Sequence, residues 1–307
     1  MTLLGKLYNA IRIGLNLRYA ENMDNWYSQI VSAELQNLNN HGWSDKPMQA
    51  NGLHVAQIVD QREISFPSEA YDKENGNQEA DGIWATLRAS AINSILKKNK
   101  IEVLWEVGSG DGNVAIPLAQ KKNAVICIEP LVDGALVTAR QGFRTYLGTL
   151  ESLQLPSNSI SAIGAFDVLE HLENPNSLLS EIHRVLKPGG LLLLTVPAHQ
   201  WLYSDFDESI GHFRRYSKRL LISSLEQTGF RNSRATHMFS ILVLPAYFVR
   251  KIPSWLGRNR DSKRTMKASK KQKRIMQLIK PVLMLSFFLD KYFNPPFGLS
   301  LLSVCRK

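Results

Sequence analysis

The chain contains few cysteines and no long apolar run. Its two cysteines, Cys127 and Cys305, each lie within an apolar stretch, so the sequence predicts neither a disulfide framework nor a thiolate metal site. No apolar stretch reaches the roughly 18 to 20 residues that a membrane-spanning helix needs. Lys6, Arg12 and Arg18 interrupt the N-terminal region where a signal peptide would be continuously apolar. We therefore expect a cytoplasmic protein without a spanning segment.

The positive charge of the chain is concentrated in one segment. Residues 250–274 hold eleven Lys or Arg and a single acid, Asp261, and the net charge of the whole chain is +10. The remainder of the sequence is therefore balanced. A local basic run of this kind points to an anionic partner for that segment and not for the whole surface.

Composition and patterning suggest one main domain with appendages. A chain of 307 residues, 44% of them hydrophobic, can bury one substantial α/β core. Residues 1–20 have apolar side chains near helical spacing with basic residues between them, which predicts a cationic amphipathic helix. Residues 35–80 are polar and loop-like. We predict an N-terminal extension over 1–82, a core over 83–237, a basic and apolar insertion over 238–295, and a closing strand of the core sheet over 296–307.

From residue 83 onward, helical and strand signals alternate. Strands are predicted at 103–107, 124–128, 160–168, 191–196 and 299–304, and helices at 83–96, 134–141, 177–186 and 218–228. Continuous apolar strands separated by helices imply a mostly parallel sheet that is covered on both faces. The predicted fold class is therefore a doubly wound α/β domain.

The loop after the first core strand carries three glycines. Gly108, Gly110 and Gly112 follow the strand directly, at the edge where a doubly wound sheet binds ligands. A dinucleotide fingerprint needs its third glycine one position later, where this chain has Asn113. Glu106 precedes the loop within the strand, where a buried carboxylate needs a cation or donors. Glu129 ends the next strand, where an acid can accept both hydroxyls of a ribose.

Together these residues resemble the class I S-adenosylmethionine (SAM)-dependent methyltransferases. The first motif of that family is a hydrophobic residue, an acid and three glycines at alternate positions, with a second acid closing the next strand. Residues 166–172 (FDVLEHL), 184–190 (RVLKPGG) and 195–197 (TVP) are similar to the later motifs of the methyltransferase type 11, or ubiquinone-type, branch. The resemblance covers about residues 83–235 and the closing strand, and it implies a seven-stranded, Rossmann-like sheet with SAM as cofactor.

The resemblance also implies which residues bind the cofactor. Glu106 and the glycine triplet would cradle the methionine part and Glu129 the ribose, while Thr149 and Leu150 would flank the adenine and Phe166 and Asp167 would line the pocket: Glu106, Gly108, Gly110, Gly112, Glu129, Thr149, Leu150, Phe166 and Asp167. Asp111 departs from the family, which often has a small or hydroxyl residue there. No metal site is predicted. His171 alone is also consistent with an ordinary core or capped histidine.

The most polar cluster after the fifth predicted strand spans residues 204–216. Its pattern Asp-x4-His-x-Arg-Arg-Tyr resembles methyltransferase-like proteins of cell-surface polysaccharide and lipid pathways. His212 is the candidate general base because its ordinary pKa lies near neutrality, and Arg214 or Arg215 could hold a phosphate or carboxylate of the acceptor. Asp207, His212 and Arg215 are the candidate catalytic residues. The alternative is that these three form a structural network that fixes the loop.

The sequence thus predicts a methyltransferase that acts on a hydroxyl of a small-molecule, lipid-associated or glycan-related acceptor. Two alternatives remain: an RNA methyltransferase that uses the basic stretch as a phosphate track, and an inactive SAM-fold partner protein. Trp255 is the only aromatic residue in 250–274, which disfavours nucleic acid because no stacking platform is evident. Apolar segments at 238–249 and 275–293 flank the basic run. They favour a peripheral position on an anionic membrane surface, at the inner face, although ordinary packing on the core is the competing interpretation.

Overall fold

The structure is a computed structural model that describes residues 25–48, 52–57, 65–66, 82–248, 281–290, 293 and 295–307. The predicted amphipathic helix over 1–20 and the basic segment 250–274 lie outside the described residues.

The helices are α1 (Asn25–Asn40), α2 (Gly82–Lys98), α3 (Ala115–Ala119), α4 (Val132–Arg140), α5 (Pro175–Val185), α6 (Asp205–Ser209) and α7 (Lys218–Gln227). The strands are β1 (Leu53–Val55), β2 (Val103–Val107), β3 (Ala124–Glu129), β4 (Arg144–Leu147), β5 (Ile160–Phe166), β6 (Leu186–Pro197), β7 (Arg231–Met238) and β8 (Ser300–Arg306). Residues 243–248 and 281–290 are also helical.

The strands form one mixed sheet in the order β1-β4-β3-β2-β5-β6-β8-β7. The pairings from β1 to β6 are parallel, and β8 lies antiparallel between β6 and β7. This arrangement confirms the predicted α/β fold class. The sheet has eight strands instead of the seven expected, because β1 pairs with β4 at the outer edge.

The central strands are buried and their residues explain why. Every residue of β3 is buried, and Trp105 of β2 is fully buried with its ring stacked on Tyr146 of β4, at a centroid distance of 5.9 Å. Such apolar runs are what a parallel sheet covered on both faces requires. They were the strongest signal in the sequence and were located correctly.

The N-terminal region differs from the loop-like prediction for residues 35–80. Helix α1 continues to Asn40 and β1 occupies 53–55. The apolar side chains of α1 lie in the main core, and the Tyr27 hydroxyl donates to the carbonyl of Val125 in β3 at 2.6 Å. The loop-like prediction is therefore wrong at these positions. The helical spacing of Tyr27, Val31, Leu35 and Leu38 is diluted by Asn and Gln, which hides the amphipathic pattern.

The chemistry-bearing loops all lie at one edge of the sheet. Strands β2, β3, β4 and β5 are parallel and end at Val107, Glu129, Leu147 and Phe166, so the residues that follow them converge there. Short β4 and polar β7 were not predicted. In β7 most residues are exposed or half-buried, so the strand lacks the apolar run of its neighbours. Within the described parts of the chain, no helix is both long and apolar enough to cross a bilayer.

Candidate active site

A pocket with a volume of 460 Å³ lies at the carboxyl ends of β2, β3, β4 and β5. Most of the predicted cofactor residues line it: Glu106, Gly108, Gly110, Glu129, Thr149, Phe166 and Asp167. Asp111, the departure from the family pattern, also lines the pocket and is buried. Residues from four separate strand ends therefore meet around one space, as the sequence predicted.

The glycine loop has a conformation that side chains would disturb. Gly108 has φ of +70°, and a Cβ atom placed there would lie 2.6 Å from Cγ2 of Val168. Glycine is thus required at this position by both backbone conformation and space. Gly112 has φ of +85° and faces Ile116 and Thr138 instead of the pocket. We therefore correct its role from cofactor contact to close packing of the following helix.

Glu129 is held in one orientation by two backbone donors. The amide of Gly110 donates to its Oε2 at 2.7 Å, and the amide of Leu131 donates to its Oε1 at 2.9 Å. These bonds link the ends of β2 and β3 and fix the carboxylate at the pocket wall. Each carboxylate oxygen can accept a further hydrogen bond, so the geometry suits ribose hydroxyls.

Glu106 is a buried acid that faces the pocket. It is 2% exposed, and no described residue gives its Oε2 a hydrogen bond. Burial raises the pKa of its carboxyl to about 8, the charge of Arg88 lowers it in part, and Glu129 and Asp111 raise it further. A ligand ammonium group would satisfy this oxygen and favour the ionised form. The orphaned acid thus fits the amino-acid part of SAM.

The predicted residues at the ends of β4 and β5 have different roles. Thr149 lines the pocket, but Leu150 is fully buried in the hydrophobic core and does not line it, so the predicted adenine contact of the Leu150 side chain is corrected to core packing. Asp167 has a left-handed φ of +56°, which turns the chain sharply after β5. Its carboxylate accepts from Thr195 Oγ1 at 3.0 Å and pairs with Arg88 at 2.6 Å.

A second chamber, also of 460 Å³, adjoins the cofactor pocket. The two spaces share the residues Phe66, Arg88, Asn113, Asp167 and His171. The chamber is further lined by Glu170, His212, Arg215 and Phe239. A molecule in the chamber would therefore lie directly beside the cofactor, which is what a methyl acceptor requires.

The three candidate catalytic residues form one connected group. Oδ1 of buried Asp207 accepts from His212 Nδ1 at 3.1 Å, from Arg215 Nε at 2.9 Å and from Arg215 Nη2 at 2.7 Å. Its Oδ2 accepts from the backbone and hydroxyl of Ser204, which completes a capping box at the start of α6. The structural network considered from the sequence is thus present, and His212 lies on its chamber side.

The two arginines of this motif contact protein atoms. Arg214 donates to the carbonyls of Leu172 and Glu173, and Arg215 is 3% exposed and donates to Asp207 and the carbonyl of Ala198. These hydrogen bonds fix the loop that carries His212. Arg215 also lines the chamber, so the contact of either arginine with an acceptor phosphate or carboxylate stays a prediction.

The comparisons with known proteins agree with this geometry. Residues 105–194 match the family model described as a methyltransferase domain. This part of the chain is a class I SAM-dependent methyltransferase domain. SAM is the cofactor of this domain, and the domain makes the protein an enzyme.

Individual relatives of the methyltransferase share part of its length. An uncharacterised protein of Methanocaldococcus jannaschii is 26% identical over 47% of this chain and 76% of its own. A probable SAM-dependent methyltransferase of Mycolicibacterium smegmatis is 34% identical over 27% of this chain, and the match spans only 33% of that protein. Among solved structures, a Haemonchus contortus phosphoethanolamine N-methyltransferase in complex with SAM gives a TM-score of 0.45 at 17% identity, over 74% of this chain and 57% of the other.

Two residues of the methyltransferase site were not singled out from the sequence. Arg88 lies on α2 and reaches both spaces, where it pairs with Asp167. Glu170 lies within the motif 166–172, is fully buried and lines the chamber. Burial raises the pKa of Glu170 well above its ordinary value, and burial together with the charge of neighbouring His212 lowers the pKa of His171 to about 4. A basic residue on a helix gives no sequence signal for its role, because only the packing of α2 brings it to the loops.

Proposed function

We propose that the enzyme transfers the SAM methyl group to a hydroxyl of a lipid-associated or glycan-related acceptor. The observation that carries this proposal is the chamber beside the cofactor pocket, which shares Arg88, Asp167 and His171 with it. Bound SAM supplies an electrophilic methyl group on a sulfonium. The chain must then align the acceptor oxygen with that methyl group and remove a proton.

His212 has the geometry expected of a general base. Its Nδ1 is held by the carboxylate of Asp207, which accepts and so places the ring proton on that nitrogen. Nε2 then carries the lone pair and faces Glu170 in the chamber, with Oε1 of Glu170 at 3.9 Å. A base oriented by a buried acid is the arrangement that proton removal requires. A hydroxyl acceptor is therefore supported over a neutral amine, which can attack before it loses a proton.

The lipid side of the proposal is supported by apolar surface next to the chamber. Phe239 lines the chamber and packs against Phe287 of the helix 281–290 at a centroid distance of 6.4 Å. This helix and the segment 243–248 carry large apolar side chains that are more than half exposed: Leu244, Phe248, Met284, Leu285 and Phe288. Exposed apolar side chains of this kind suit a membrane interface. The basic residues of 250–274, which lie between the two segments in sequence, would favour anionic lipid.

The direct test supplies SAM with a labelled methyl group to a lipid extract, a glycan extract and total RNA. Label in a lipid or glycan product is the expected result, and the product identifies the acceptor atom. His212→Ala should retain SAM binding but lower turnover by about 100-fold or more, because general-base catalysis contributes about that much. His41→Ala is the matched control, since His41 is exposed and does not line either space.

Two results would contradict the proposal. Label that enters RNA alone would show that the acceptor is RNA and not a lipid or a glycan. Near-normal turnover of His212→Ala, with SAM affinity unchanged, would assign His212 to loop structure.

A further inference from the structure

Three side chains with metal-ligating atoms converge in the acceptor chamber. Glu170 and His171 lie in the short helical turn after β5, and His212 lies in the loop after α6. One ligating atom from each lies within 4.8 Å of those of the other two. The two imidazole rings meet edge to face at a centroid distance of 4.6 Å. The fold therefore brings His212 to two adjacent residues that lie much earlier in the sequence.

The Glu170 carboxylate oxygens lack hydrogen-bond partners in this site. Glu170 is 0% exposed, and neither of its carboxylate oxygens has a hydrogen-bond partner among the described residues. An unpartnered buried carboxyl is costly unless a cation or donors satisfy it. The Nε2 atom of His212 lies 3.9 Å from Oε1 of Glu170, which is too long for a hydrogen bond but leaves space for an ion between the two.

The outer hydrogen bonds of both histidines are those of metal ligands. Nδ1 of His212 bonds to the Asp207 carboxylate, and Nδ1 of His171 lies 3.2 Å from the carbonyl oxygen of Gly211. Both partners can only accept, so each Nδ1 carries the ring proton and each Nε2 presents a lone pair. Metal-binding histidines almost always donate their second nitrogen to a carboxylate or a backbone carbonyl. This chain supplies one of each.

We propose that Glu170, His171 and His212 bind a divalent transition-metal ion beside the methyl-transfer site. Two imidazole nitrogens and one carboxylate oxygen favour ions such as Zn²⁺, Mn²⁺ or Fe²⁺ over Mg²⁺ and Ca²⁺, which prefer oxygen ligands. Metal–ligand bonds of about 2.0 to 2.2 Å separate neighbouring ligand atoms by about 3 to 3.5 Å. The distance of 3.9 Å between His212 and Glu170 therefore closes with a side-chain shift of less than about 1 Å.

Three protein ligands leave at least one coordination position open to the chamber. An acceptor hydroxyl bound there has a lowered pKa and releases its proton to water. Its oxygen then attacks the methyl carbon, so that the carbon–oxygen bond forms as the carbon–sulfur bond breaks and sulfur keeps the electron pair. When the ion is bound, His212 is one of its ligands and does not accept the proton of the acceptor hydroxyl. This catalytic part of the inference rests on the proposed function, whereas ion binding does not.

Ion binding is tested on the full chain after a chelator has stripped any bound metal and has itself been removed. Calorimetric titration with Zn²⁺, Mn²⁺ and Co²⁺ in separate experiments should show one ion per chain for at least one of them, and bound Co²⁺ should give visible absorption bands. Glu170→Gln and His171→Ala should each weaken binding by at least about 100-fold. Glu170→Gln keeps the shape of the side chain, and unchanged SAM affinity confirms that a variant is folded. The control His41→Ala should bind as wild type does. Absence of stoichiometric binding to the wild-type chain, or binding by both site variants that equals that of wild type, would overturn the site.

Activity separates this inference from the proposed function. Loss of methyl transfer with the chelator and its recovery with the ion supports the catalytic role. Methyl transfer that depends on His212 but not on any ion overturns that role and leaves the proposed function standing. Ion binding without methyl transfer to any extract supports the site and removes the proposed function.

Discussion

The Nδ1 atom of His212 lies 3.1 Å from Oδ1 of Asp207, whose side chain is fully buried. The same oxygen also bonds to the guanidinium of Arg215. One carboxylate therefore orients the chamber histidine and neutralises a buried cation. The loop geometry and the chemistry of the chamber depend on the same side chain.

We first expect Asp207→Asn to destabilise the protein strongly. The amide has no charge and only one accepting atom, so Arg215, which is 3% exposed, loses its counter-ion. Removing one partner of a buried ion pair costs about 3 to 5 kcal/mol. Urea denaturation measures this cost as a decrease in the free energy of unfolding. Glu208→Gln, an exposed acid on the same helix, is the control and should change that free energy by less than about 0.5 kcal/mol. Equal effects of the two variants would contradict the prediction.

Cofactor affinity should depend on Glu129. Glu129→Ala removes the carboxylate that Gly110 and Leu131 hold at the pocket wall. Loss of a charge-assisted contact to the ribose weakens binding by about 10-fold to 100-fold, measured by calorimetry with SAM. Glu226→Gln changes an exposed acid on α7 and should bind as wild type does. Unchanged affinity of a folded Glu129→Ala protein would show that the ribose assignment is wrong.

The glycine loop can be tested with a matched pair of substitutions. Gly108 and Gly189 both have left-handed φ values, +70° and +75°, but only at Gly108 does an added Cβ meet a neighbour, Val168. Both alanine variants should lose about 1 to 2 kcal/mol of stability from the backbone conformation. Only Gly108→Ala should also lose SAM affinity, by about 10-fold or more, because its loop must move. If Gly189→Ala weakened SAM binding as much, the steric explanation would fail.

The buried Glu106 carboxyl predicts a pH dependence of stability in the absence of SAM. Burial raises its pKa to about 8 in the folded protein, from an ordinary value of 4.5. Between these values the folded chain holds a proton that the unfolded chain has released. The contribution of this group to stability therefore falls as the pH rises through the window. Glu106→Gln removes the titration, so its Tm relative to wild type should increase from about pH 5 to about pH 8. A difference in Tm that stays constant over this range would contradict the assignment.

The membrane expectation is tested by co-sedimentation with liposomes. Vesicles with anionic lipid should bind the protein, and binding should fall as salt rises, because each basic side chain near the surface contributes about 1 kcal/mol. Changing the Lys and Arg residues of 263–274 to Gln should weaken attachment. Equal binding to neutral and anionic vesicles, or to neither, would remove the support for a lipid-associated acceptor.

The sequence alone determined the features that depend on neighbouring residues. The apolar strands, the glycine loop and the acids at positions 106 and 129 are local patterns, because a buried parallel strand and a tight ligand-binding turn each restrict consecutive residue types. They were sufficient for the fold class and for most of the cofactor pocket. The short strand β4 and the polar strand β7 lacked such a pattern, since pairing with neighbours and not composition places them in the sheet.

The tertiary structure decided the features that arise where distant segments meet. Packing of α2 brings Arg88 to Asp167, and packing of the loop after α6 brings His212 to Glu170 and His171. It also assigned Leu150 to the core and Gly112 to helix packing. Side-chain direction and burial set these roles, and both depend on the path of the whole chain instead of on the residues beside each position.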